Sequence, residues 1–79
     1  MMPNIYLYET VKQQVLSFLT FENTMVKFSV SGMFCGDYPI ILILHANKSY
    51  RFSDPDWNVV SRQLNKLYFT LKAKESQHS

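Results

Sequence analysis

The run Ile40-Ile41-Leu42-Ile43-Leu44 constrains this chain more than any other stretch. It is far shorter than the about 18 residues a membrane span needs, and its β-branched content favours a strand over a helix. Successive side chains on a strand point to opposite faces, so five aliphatic residues in a row ask for cover on both sides of a sheet. The fold and the function both turn on what supplies that second cover.

The flanking sequence alternates. Residues 25–34 place Val26, Phe28 and Val30 on one side and Lys27, Ser29 and Ser31 on the other, which predicts a strand with one wet face. Cys35-Gly36-Asp37 ahead of Tyr38-Pro39 has turn composition, so a hairpin leads into a central strand over 39–46. Ala46-Asn47-Lys48-Ser49 reads as a tight turn, and 49–53 as a third strand in which Tyr50 and Phe52 share a face. A loop of two or four residues pairs Ile43 with Phe52 and leaves Ile40, Leu42 and Leu44 on the outer face. A loop of three exposes Ile41 and Ile43 instead.

Helices flank this meander. Over 4–20, Tyr8, Val11, Val15, Phe18 and Leu19 recur at helical spacing, opposite Glu9, Gln13 and Ser17. Asn4 can cap this helix, whereas Thr10 with Gln13 also has the form of a capping box and would leave Ile5 to Tyr8 as a short strand. At Ser53-Asp54-Pro55-Asp56 several start signals coincide: Asp54 or Ser53 as the cap, Pro55 suited to the first turn, and Asp56 at the positive end of the dipole. A helix is therefore expected over 55–73, with Trp57, Val60, Leu64, Leu67, Tyr68 and Leu71 facing inward and 75–79 as a frayed tail.

The fold class expected is α+β, in the order helix, three-stranded antiparallel meander, helix. With 79 residues there is core enough for one domain, spanning 1–79. Both helices pack most economically on the face offered by Val26, Phe28, Tyr50 and Phe52, leaving the other face open. The alternative sends the first helix across and encloses the sheet. In the open arrangement Ile40, Leu42 and Leu44, bordered by Lys27 and Arg51, form an apolar patch with a polar rim, the signature of an interaction site. The partner expected is another protein or a second copy of the chain, which would make it a homodimer.

The last helix carries a second stripe, Val59, Arg62, Lys66 and Phe69, opposite its core side. This stripe could contact an acidic protein or, with Lys12, Lys72 or Lys74, nucleic acid. The element order resembles that of the double-stranded RNA-binding domain. That family grips phosphates with lysines at the start of its second helix, where this chain has Asp54-Pro55-Asp56, which repels them. A net charge of +2 adds little to a nucleic-acid reading.

Catalysis finds little support. Cys35 and His45 can be paired on paper, but no activating base or oxyanion donor accompanies them, and His78 belongs to the tail. One cysteine and two distant histidines do not make a metal site. No cofactor and no small-molecule substrate are expected. Met1-Met2-Pro3-Asn4 lacks the basic and apolar segments of a secretory signal, and the single cysteine suits a reducing compartment, so a soluble cytoplasmic protein is expected.

Overall fold

A computed structural model of the chain describes residues 5–32 and 37–77. Its elements are helix α1 (Ile5–Ser17) with a 3₁₀ turn at Phe18–Thr20, strands β1 (Thr24–Gly32), β2 (Asp37–His45) and β3 (Lys48–Ser53), and helix α2 (Trp57–Gln77). The strands form one antiparallel sheet in the order β1-β2-β3, so the aliphatic strand lies in the middle. Asn4, the turn residues Cys35 and Gly36, and His78 fall outside the described residues.

Both helices lie over the same face of the sheet. Val11, Val15 and Phe18 from α1 and the 3₁₀ turn, Trp57, Val60, Leu64 and Leu71 from α2, and Ile41 and Ile43 from β2 form one buried cluster. Rings close its two ends. Tyr8, Phe28 and Trp57 gather at one end, with Tyr8 and Phe28 centroids 5.5 Å apart. Phe18, Phe21 and Tyr68 gather at the other, with Phe21 and Tyr68 5.4 Å apart. Between the helices Gln14 reaches from α1 to α2, where its Nε2 donates to the Ser61 carbonyl at 3.2 Å and to Asn65 Oδ1 at 2.9 Å.

The first helix runs as expected from Ile5 and differs from its expected course at its end. Thr10 lies inside it, so Ile5 to Tyr8 are helical and not a strand. Its last turn tightens into 3₁₀ geometry, closed by the Phe21 N–H donating to the Phe18 carbonyl at 3.1 Å. Residues three apart eclipse one another in such a turn, which brings Phe21 in line with Phe18 and rotates Leu19 away. Leu19, expected in the core, is 51% exposed, while Phe21, expected in the break, is only 5% exposed.

The β2–β3 loop has two residues, Ala46 and Asn47, with φ of 49° and 72°. Two left-handed residues make the type I′ turn, whose twist matches that of the strands it joins. Lys48 and Ser49 therefore belong to β3, and Ile43 sits opposite Tyr50, not Phe52, while Ile41 takes Phe52. A slip of two residues preserves the face, so the outward set remains Ile40, Leu42 and Leu44. Pro39 is tolerated in the central strand because β3 has already ended: its last pair is Ile40 with Ser53, and at Pro39 the strand has a neighbour on one side only. Val30, opposite Pro39, shares the helix-side face with Val26 and Phe28 but is exposed, whereas Pro39 beside it is buried.

Helix α2 starts at Trp57, two residues later than expected, and its cap is Asp56, not Asp54 or Ser53. The Asp56 carboxylate accepts the Asn58 N–H at 2.9 Å and its carbonyl accepts the Val60 N–H at 3.3 Å. Asp54 acts one step earlier, accepting the Asp56 N–H at 2.8 Å and so turning the chain through Pro55. The helix then runs to Gln77, through the region expected to fray. Neither glycine nor proline interrupts that segment, and lysine, alanine and glutamate are good helix formers.

Candidate functional site

The strand registers assemble the outer face row by row. Met25, Leu44 and Ser49 form one row across the three strands. Lys27, Leu42 and Arg51 form the next, and Ser29, Ile40 and Ser53 the third. Tyr38 extends the face beside Ser31. All five residues expected to bind a partner, Ile40, Leu42, Leu44, Lys27 and Arg51, therefore come together on one face.

Exposure separates the two sides of the same strand. Ile41 and Ile43 are at 0%, whereas Leu44 is 38% and Met25 68% exposed. Ile40 and Leu42 are half-buried, not bare, because a central strand is flanked by side chains on both neighbours. Lys27 and Arg51, both exposed, flank Leu42 in this way. Among the described residues, Met25 is an exposed apolar member of the face that the candidate set lacks. Its signal was its spacing from Lys27 and Ser29, which puts it on the wet side of an alternating strand.

Charge on this face has one sign. Lys27 and Arg51 stand on either side of Leu42, and no Asp or Glu among the described residues of the three strands shares the face with them. Strands spaced about 4.8 Å apart put the two cationic residues about 10 Å from each other across the apolar row.

The stripe on α2 is arranged differently. Arg62 and Lys66 are exposed and Phe69 is largely so, but Val59 is half-buried. Lys66 borders a shallow groove with Tyr50 and Arg51 of β3, whereas Phe69 borders one with Gln13 and Phe18. The stripe thus straddles the outer ridge of α2 and is not a single concave site. From Trp57 to Lys74 the helix has four cationic side chains and no acidic one.

His45 closes the helix-side face at the end of β2. Its Nδ1 is 2.9 Å from Thr24 Oγ1, and its ring meets Phe21 edge-on at 5.8 Å. Cys35, its suggested partner, lies outside the described residues. Among the described residues no three His, Cys, Asp or Glu side chains gather as metal ligands, and no helix is long and apolar enough to cross a membrane. No protein-family model, no curated protein and no solved structure matches the chain.

Proposed function

We propose that this chain is a small non-enzymatic protein-binding module that acts as a regulator, inhibitor or accessory subunit through the open face of its sheet. One observation carries the reading. Helices cover Ile41 and Ile43 completely, while Met25 and Leu44 on the other side of the same sheet stay exposed beside Ile40 and Leu42. Fully burying a side chain of this kind is worth about 1.5–3 kcal/mol, so a partner that covers the row gains several kcal/mol before its ordering costs. A cytoplasmic setting is part of the proposal and rests on the single cysteine.

Photo-crosslinking tests it. A photoreactive phenylalanine analogue at Leu44 is expected to give protein adducts in cells, whereas the same group at Leu19, comparably exposed on the 3₁₀ turn, gives none. Equal adducts at both sites, or none at Leu44, would overturn the assignment.

A second reading, nucleic-acid binding by α2, is favoured by the run of cations without an acid from Trp57 to Lys74. It predicts a mobility shift at low ionic strength that Arg62→Glu abolishes and added salt reverses. No shift at low salt removes this reading.

A further inference from the structure

The open face narrows the chemistry of its occupant. Its apolar row runs along β2, with side chains repeating every about 6.8 Å, and Lys27 and Arg51 bracket the row at Leu42. A second copy stacked face to face sets cations against cations, because this face has no acidic side chain among the described residues of its strands. Like charges across an interface oppose association. The other face of the same sheet shows which element fits the pleat, since Ile41 and Ile43 are covered there by two helices. A helix repeats its i and i+4 side chains every about 6 Å, close to the spacing along the strand, and is about 10–12 Å wide, close to the separation of the two cationic residues. A phosphate backbone would satisfy Lys27 and Arg51 but leave Met25, Leu42 and Leu44 without apolar cover.

We infer that the open face receives an amphipathic α-helix of another protein, with its apolar stripe on Ile40, Leu42 and Leu44 and carboxylates on both borders of that stripe reaching Lys27 and Arg51. This rests on the proposed protein-binding role of the face and adds the partner's chemistry.

The test is selection of helical peptides on the full chain. In the displayed library leucine is fixed along one face at i, i+4 and i+7, and the bordering positions vary among Glu, Lys, Gln and Ser. Wild-type protein is expected to enrich Glu at both borders, and K27E/R51E to enrich Lys. A peptide selected on the wild type should bind K27E/R51E more weakly by on the order of tenfold or more, since two exposed ion pairs become two repulsions. The same border residues selected by both proteins would overturn the charge assignment while leaving the apolar face as a binding surface. Selected peptides that bind Leu42→Glu undiminished would overturn the face itself. Failure to enrich any helix would exclude a helical occupant, and a duplex oligonucleotide captured through Lys27 and Arg51 in its place would reassign the face to nucleic acid.

Discussion

Phe21 and Leu19 show how much one turn of backbone decides. Both are large apolar residues at the end of α1, and helical spacing favours Leu19 for the core. The 3₁₀ geometry reverses the choice, so that Phe21 meets Phe18, Tyr68 and His45 while Leu19 faces solvent. Phe21→Ala is therefore expected to cost about 3–5 kcal/mol and Leu19→Ala to stay within about 0.5 kcal/mol, read from urea unfolding midpoints. The tightening was not legible in Phe18-Leu19-Thr20-Phe21, because neither proline nor glycine marks it. The inward positions on α2 were legible, since Trp57, Val60, Leu64 and Leu71 hold one stripe without interruption and all are buried. So was the gathering of Ile40, Leu42, Leu44, Lys27 and Arg51, because alternation along a strand depends only on its period.

At the level of elements, the turns set what alternation leaves open. The β2–β3 hairpin holds two left-handed residues, and one is Ala46 at φ 49°, where a Cβ costs roughly 1 kcal/mol. Ala46→Gly is expected to raise the melting temperature by about 4–8 °C if that cost is recovered in full, less the extra freedom glycine adds to the unfolded chain. A lower melting temperature would show that Ala46 is not strained there. The same residue explains why loop length was unreadable: type I′ turns usually announce themselves by Asn-Gly, and Ala-Asn does not. The start of α2 was legible as a cluster, but Ser53, Asp54 and Asp56 all have capping side chains. Hydrogen bonding separates them, since Asp56 holds the first turn and Asp54 holds Asp56. Asp56→Ala should cost about 0.5–2 kcal/mol in thermal unfolding, and Asp54→Ala less.

The whole molecule is thin, with principal extents of 47 × 20 × 15 Å between Cα atoms. The shortest of these accommodates one sheet and one helical layer about 10 Å above it, and the described residues form no third layer. The sequence indicated that five aliphatic neighbours need two covers. It did not indicate what supplies the second, because among the described residues no element lies over the outer face. Adjacent residues of one strand differ here in cover, Leu42 half-buried and Ile43 fully buried, and a pair of carboxylate substitutions tests that directly. Leu42→Glu places a carboxylate on the half-buried outer face, between Lys27 and Arg51, whereas Ile43→Glu buries one in the core cluster that includes Val15, Phe18 and Leu64. Followed by circular dichroism on heating, Leu42→Glu is predicted to unfold cooperatively near the wild-type temperature and Ile43→Glu to have no folded baseline. Loss of folding in both variants, or tolerance of both, would contradict the account.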